Sequence, residues 1–385
     1  MALLKKRINL KQIKNEFIKT INQNKNRRGT VYSKELADLG IVVFRRQNES
    51  GGLKPHLFIR FKSESGRLLT FAVDTTRMAA SKDMPDAYLI THAHSDHYGK
   101  SAMLSDKSWC SDETARALEI RYEKDYKGHV FKIGETVDIC GTAVQTFDVC
   151  HTPGSSAFYW KNDCGTRILV TGDVKDASFL PECDVLFTEA SYGDPDDLSC
   201  YFKDDISGLH DAVLSHIGEQ KIAFGAYEFG KSQKAVSIIR EMGYTGPIAM
   251  NCKTLSLTQR FVQNAGELIP IEKSSTDDST SNGASNGTSI SIVPIHELSG
   301  MDFSVRKYVL TCRSDYPFQN IRLSDHLDVN GLTQMVKNLS PKITVVYHPN
   351  KSPRTDKFAK HLEKTGYKAF SVNQIRNIIG TGKMQ

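Results

Sequence analysis

Short runs of apolar and β-branched residues recur along the chain and stop at polar side chains of a restricted kind. Leu68–Val73, Ala87–Ile90, Val144–Val149, Ile168–Gly172, Val185–Thr188 and Ile343–Tyr347 are too short for buried helices and read as strands. The stretch from Gly29 to Val73 reads as strands with a turn at Asn48-Glu49-Ser50-Gly51-Gly52. Elsewhere apolar positions three and four apart predict helices. One spans Asp112–Tyr122 and has an acidic first turn; a second spans Asp204–Ile217 and is stopped by Gly218. A third spans Ser232–Met242, with Ser232 as cap and Gly243 as stop. From about residue 200 to 320 strands and helices alternate, which suggests a small α/β insertion. No internal repeat with a period of about 20–50 residues is present.

The polar residues at the strand ends carry the chemistry. Ala87–Ile90 leads into Thr91-His92-Ala93-His94-Ser95-Asp96-His97, which packs three imidazoles and one carboxylate into a single strand-to-loop transition. Imidazole and carboxylate together suit zinc and similar divalent metals. His92 and His94, two apart on an extended segment, can point to one side. Asp96 and His97 come next in the turn and can serve a second ion. Asp74, His151 and Asp173 each stand just beyond another strand. A lone acid there is ordinarily a turn residue. Together they repeat one design, a metal-seeking side chain at a strand's carboxyl end, where open sheets place their sites. A histidine-rich surface loop would need neither the buried strand before it nor the matching pieces downstream.

This order of motifs, Asp74, His92-Ala93-His94-Ser95-Asp96-His97, His151 and Asp173, resembles the metallo-β-lactamase superfamily. The resemblance runs from about residue 30 to the C-terminal region. It implies one metal held by His92, His94 and His151, a second held by Asp96 and His97, and Asp173 bridging both. Asp74 then accepts from a ligand imidazole and fixes its tautomer. Glu189, His326 in Leu323–Asp328, and His348 resemble the three extra motifs of the β-CASP branch, the nucleic-acid-processing nucleases of that superfamily. Phe229-Gly230-Lys231-Ser232-Gln233 resembles a helix start of the same branch. By that resemblance His348 completes the second metal site, and His326 acts as general acid, oriented by Glu189. Asp96 and Asp173 count both as ligands and as participants in hydrolysis. A histidine at the position of His348 is similar to RNA 3′-end-processing endonucleases and to ligase-associated DNA exonucleases, and it argues against the Artemis-like group.

The implied fold is α/β: a four-layer αββα sandwich with an inserted, smaller α/β β-CASP cap. Residues 29–199 and 321–385 would form the sandwich, and 200–320 the cap. The implied cofactors are two divalent ions, zinc with manganese as the alternative. The implied partner is a single-stranded nucleic acid. Two other readings stay open: a hydrolase of a small-molecule ester, lactone or thioester on the same metal core, and a nucleic-acid-binding scaffold without catalysis. The intact ligand set counts against the scaffold. Glu189, His326 and His348 count against the small-molecule enzyme.

Composition changes this picture in two places. The chain has 385 residues, 24% charged and 39% hydrophobic, which fits one large domain with an insertion, or two domains. No apolar run reaches the ~18 residues of a membrane span, and the first residues lack the apolar core of a signal peptide. Eight cysteines are scattered with no CxxC pair, which predicts reduced thiols in a cytoplasmic or nuclear setting. The net charge of +6 is uneven, because residues 1–28 hold nine Lys/Arg against one acid, Glu16; that segment carries +8 and leaves −2 elsewhere. Leu10, Ile13, Phe17 and Ile21 recur at three and four, so 1–28 reads as a basic amphipathic helix. It could pack on the body, touch phosphates or lie on a membrane surface. Residues 274–289 are rich in Ser, Thr, Asn, Gly and Asp, cannot bury a core, and are expected to form a mobile loop. The match of Asn286-Gly287-Thr288 to a glycosylation acceptor is read as chance.

Overall fold

The computed structural model describes residues 30–47, 51–75, 84–97, 102–215, 220–271, 289–348 and 352–379. The basic segment 1–28 and all but the last residue of 274–289 lie outside the described residues.

Among the described residues a short helix, α1 (Ser33–Asp38), comes first, where strands alone were expected. Only Leu36 of its six residues is buried, so it leaves no periodic signal in the sequence. An antiparallel meander comes next, β1 (Ile41–Gln47), β2 (Leu53–Lys62) and β3 (Leu68–Val73). Onto it β4 (Ala87–Leu89), β5 (Ser108–Ser111) and β6 (His129–Phe131) add in parallel, with α2 (Asp112–Tyr122) linking β5 to β6. A second meander, β7 (Thr136–Ile139), β8 (Thr142–Asp148), β9 (Ser156–Lys161) and β10 (Arg167–Val170), gains β11 (Val185–Thr188) in parallel. The chain then leaves this sheet. It forms α3 (Ile206–Leu214), β12 (Ile222–Ala226), α4 (Lys231–Glu241), β13 (Ile248–Met250), α5 (Cys252–Phe261) and β14 (Leu268–Pro270). With β15 (Ile290–Pro294), β16 (Arg306–Leu310) and β17 (Gln319–Ile321) these strands make a third, all-parallel sheet ordered β14-β13-β15-β12-β16-β17. The chain returns through α6 (Val329–Leu339), β18 (Ile343–Val346), α7 (Pro353–Lys364) and β19 (Ala369–Ser371) to the second sheet, and β20 (Ile378–Ile379) joins the first.

The first two sheets, seven strands each, face one another across the largest core. Ile59, Phe61 and Phe71 of one meet Phe158, Trp160, Ile168 and Phe187 of the other, all with 0–1% exposure. Phe61, Phe71 and Trp160 pack with ring centroids 4.9–5.5 Å apart. Each such buried ring contributes roughly 1.5–3 kcal/mol by burial. On the far side of the second sheet, Leu169, Leu186 and Val346 are covered by α6 and α7 through Leu332, Met335, Phe358 and Leu362. α2 lies against the first sheet through Ala115 and Leu118, in a cluster that also takes Phe229 and Leu257 from the third-sheet segment. The architecture is thus α/β with facing mixed sheets, as expected.

Two helices depart from their expected bounds. α3 begins at Ile206, not Asp204, and runs to Leu214; the expected end, Ile217, lies outside the described residues, and Ile206 is 45% exposed. α4 begins at Lys231 and is capped by Gly230, not Ser232. Gly230 has φ +89°, which only glycine adopts freely. Its N–H donates to Gln233 Oε1 at 2.7 Å, while the Ser232 hydroxyl donates back to the Tyr227 carbonyl. α2 keeps its expected bounds, with Ser111 accepting from Thr114 N–H and Asp112 and Glu113 in the first turn. Among the described residues no helix is long and apolar enough to cross a membrane. All eight cysteines are free.

Candidate metal and hydrolytic site

The parallel strands carry their chemistry at their carboxyl ends. Asp74 follows β3, the His92–His97 segment follows β4, Asp173 follows β10, Glu189 follows β11 and His348 follows β18. His151 comes just after β8. These ends meet, so residues more than 250 apart in sequence share one site.

The orientation of each ring is set by its outer hydrogen bond. A carbonyl only accepts, so the ring nitrogen facing one must carry the proton. His151 Nδ1 donates to the Asp325 carbonyl at 2.7 Å, and His94 Nε2 donates to the Phe229 carbonyl at 3.0 Å. The remaining nitrogens, His151 Nε2 and His94 Nδ1, then present lone pairs to each other at 3.0 Å. For His92 the constraint comes from Thr91. The Thr91 hydroxyl donates to Asp74 Oδ2 at 3.0 Å, so it accepts from His92 Nδ1, also at 3.0 Å. His92 Nε2 is left pointing inward with no hydrogen-bond partner. Three buried lone pairs converging on one point repel unless a cation lies among them. Burial holds His92, His94 and His151 below the ordinary imidazole pKa; neighbouring imidazoles push the same way on His92 and His151, and Arg121 on His94. All three therefore favour the neutral form, the form a metal would need. The donor set fits a divalent cation.

Asp173 stands beside them, 97% buried. Its Oδ2 lies 3.7 Å from His92 Nε2, 3.5 Å from His151 Nε2 and 3.3 Å from His97 Nε2, and its Oδ1 has no hydrogen-bond partner. His92, His94, His151 and Asp173 can each offer one atom to a single centre. Asp96, His97 and His348 form a second such group, with His348 Nε2 3.8 Å from Asp96 Oδ2. The structure therefore brings all seven expected residues together, Asp173 grouping with His92, His94 and His151, and Asp96 and His97 with His348. His97 Nδ1 points at Asp74 Oδ2, 3.1 Å away. Asp74 also accepts from Thr91 N–H at 2.9 Å and from the Tyr347 hydroxyl at 3.0 Å. Burial alone would lower the His97 pKa, but Asp173 and Asp74 outweigh it and hold the ring protonated, well above its ordinary value. That proton faces Asp173, so cation binding and its loss are linked.

A third group joins Asp173 to Glu189 and His326. Glu189 is 1% exposed, which rules out a surface acid at a strand end. Its two oxygens accept from Val174 N–H at 2.8 Å and Ser191 N–H at 3.0 Å, and both lie 2.9–3.0 Å from His326 Nδ1. Burial would lower the His326 pKa, but the Glu189 carboxylate and then Asp173 reverse this and raise it. Its ring packs against His151 with centroids 4.5 Å apart.

Thr91, Asp325 and Tyr347 orient this site, yet the sequence pattern gives them no role. Thr91 is visible as part of the histidine segment. The Asp325 and Phe229 contacts are made by backbone carbonyls and have no side-chain signal. Gly172 has φ +63°, and a Cβ there would come within 2.5 Å of Thr91 Oγ1. Gly172→Ala should therefore destabilise the fold by at least about 1–2 kcal/mol and displace both Thr91 and the adjacent Asp173. Urea unfolding measures the first effect and metal content the second; an unchanged midpoint would show that the turn admits a side chain.

The clusters open on a cavity of about 1320 Å³. Its walls include His94, Asp96, Asp173, His326 and His348 on one side, and residues after β12, β15 and β16 of the third sheet on the other.

No family profile matches the chain. It is 25% identical over 226 residues to an RNase J-like protein of Methanocaldococcus jannaschii, covering 49% of this chain and 52% of that protein. It is 25% identical over 187 residues to the DNA cross-link repair protein SNM1 of Arabidopsis thaliana, covering 45% and 38%. It is 30% identical over 122 residues to the exodeoxyribonuclease WalJ of Streptococcus pneumoniae, covering 28% and 45%. The chain is similar to the β-CASP nucleases of the metallo-β-lactamase superfamily. The match spans about half or less of the length of these superfamily members. A solved protein of unknown function from Enterococcus faecalis has the same overall fold, with a TM-score of 0.57 at 12% identity over 86% of this chain and 97% of that one.

Proposed function

We propose that this chain is a metal-dependent nuclease that hydrolyses phosphodiester bonds in single-stranded nucleic acid. In this reading the facing sheets with their outer helices are the αββα sandwich of the superfamily, and the third sheet is the β-CASP cap. The observation that carries the proposal is the meeting of two features at one cavity: inward-pointing imidazole lone pairs, and a buried Glu189–His326 pair beside the same Asp173. His92, His94, His151 and Asp173 would hold one divalent ion, and Asp96, His97, His348 and Asp173 the other. Zinc is the first candidate and manganese the second. Bound there, two divalent ions supply Lewis acidity and an activated water at neutral pH.

The protein's own groups do the rest. Glu189 is fixed by two backbone N–H groups, holds the His326 ring by Nδ1, and favours its charged form. His326 Nε2 is then free to deliver a proton to the departing oxygen. Asp74, Thr91 and Tyr347 set the orientation of His92 and His97.

Cavity size favours a polymer over a small ester. Drug-sized ligands occupy roughly 300–1,000 Å³, whereas this cavity holds about 1320 Å³ and is lined by Tyr192, Tyr227, Tyr316, Arg313 and Arg354. The test compares metal-loaded protein on phosphodiesters with the same protein on carboxyl esters, lactones and thioesters. Phosphodiester hydrolysis is expected, and preference for a carboxyl substrate would replace this reading with that of a small-molecule hydrolase.

A further inference from the structure

The cavity is lined by four lysine or arginine side chains, and three of them have acidic partners. Arg121 meets Glu228 at 3.4 Å, Arg354 meets Asp197 at 2.7 Å, and Arg313 is bound to Asp315. Lys231 is different. It is 2% exposed, it lines the cavity, and among the described residues its ammonium has no hydrogen bond or ion pair. Its ammonium lies over the face of Tyr227, 4.8 Å away, and Asp325 is the acid that acts on it most strongly, without a salt bridge. Lys234, one turn further along α4, shows the contrast, since it pairs with Asp204 at 2.9 Å and donates to the Ser324 carbonyl.

An unpaired ammonium in a buried position is costly and persists where something else requires it. The position explains what that is. Lys231 is the first residue of an eleven-residue helix, so the positive end of the helix dipole adds to its charge. The loop before it, Ala226–Phe229, also lines the cavity. Gly230 lets the helix start approach Thr152 and Asp325, beside the two histidines at positions 151 and 326. The combination of a buried cation, a helix N-terminus and a half-exposed tyrosine face suits a phosphate with its nucleoside. Burial also pushes the Lys231 pKa down from its ordinary value, a cost that a bound phosphate anion would offset.

We propose that Lys231 and the N-terminus of α4 bind a second, non-scissile phosphate of the substrate, with Tyr227 beneath it. Lys231 is then a positioning residue that makes the enzyme select strands carrying at least two phosphates. This inference rests on the nuclease reading.

The test uses the full-length, metal-loaded protein, Lys231→Met, and two substrates. One is bis(p-nitrophenyl) phosphate, which has a single phosphate; the other is a thymidine trinucleotide with two internucleotide phosphates. Losing a charge-assisted contact should lower kcat/KM on the trinucleotide by about 10–100-fold, mainly through KM. On the single-phosphate diester the loss should be several-fold smaller. The melting temperature of Lys231→Met should equal or exceed that of the wild type, and added inorganic phosphate should raise it less than it raises the wild type. Equal losses on both substrates, or no loss on the trinucleotide, would overturn the proposal. If the wild type cleaves neither phosphodiester, the nuclease reading fails, and the phosphate-dependent melting shift alone decides the anion site: a Lys231-dependent shift supports it and an identical shift in both proteins rejects it.

Discussion

Asp173→Asn should abolish hydrolysis while leaving a folded protein. Asn has nearly the same shape, so packing around position 173 is kept. What is lost is the negative charge that faces three ring nitrogens within 3.3–3.7 Å. Asp173 is also the residue assigned to both ions, so the variant should bind fewer of them. The wild type should carry about two divalent ions per chain, and Asp173→Asn about one or none. Metal Lewis acidity contributes several kcal/mol to such reactions, so the rate should fall by ~10³-fold or more. His348→Ala gives a finer cut. His348 belongs only to the group with Asp96 and His97, so the ion held by His92, His94 and His151 should stay and the other should leave. Elemental analysis with thermal melting checks both variants. A wild type with less than one ion per folded chain would remove the dinuclear reading.

His326→Ala should behave in the opposite way: metals kept, rate lost. His326 is not in either histidine-rich group, and its Nδ1 is already held by Glu189. General-acid catalysis contributes ~10²–10⁴-fold, so a loss of that size is expected on a nucleotide leaving group. A p-nitrophenolate leaving group needs no proton, so bis(p-nitrophenyl) phosphate should lose far less. Glu189→Gln should show a weaker form of the same pattern. Its amide can keep only part of the bonds to Val174 N–H, Ser191 N–H and His326. Loss of metal in His326→Ala, with retention in His348→Ala, would reverse the two roles. Equal losses on both leaving groups would remove the general acid.

The strand ends and the candidate ligands are legible in the sequence because both are local. Strands such as β3, β10, β11 and β18 are runs of mostly apolar residues, and the candidate ligands stand just beyond strand ends. The third sheet is legible only as alternation of strand and helix. Ile248–Met250, Leu268–Pro270 and Gln319–Ile321 have three residues each, too few to show a period. The pairing of Glu189 with His326 spans 137 residues and comes from family resemblance, not from any local pattern. The tautomers of His94 and His151 depend on the carbonyls of Phe229 and Asp325, which every residue possesses and no sequence marks. Serine is a common cap, which favours Ser232 on sequence grounds. Gly230 takes that place because its positive φ lets Gln233 close the turn.

The most direct measurement of the central claim incubates metal-loaded protein with end-labelled single-stranded DNA and, separately, single-stranded RNA, alongside Asp173→Asn. Cleavage of at least one polymer by the wild type, lost in the variant and on chelation, is the expected result. The pattern of labelled products would also give the polarity and the choice between exo and endo attack. Failure to cleave either polymer by a protein shown to hold both ions would contradict the nuclease reading.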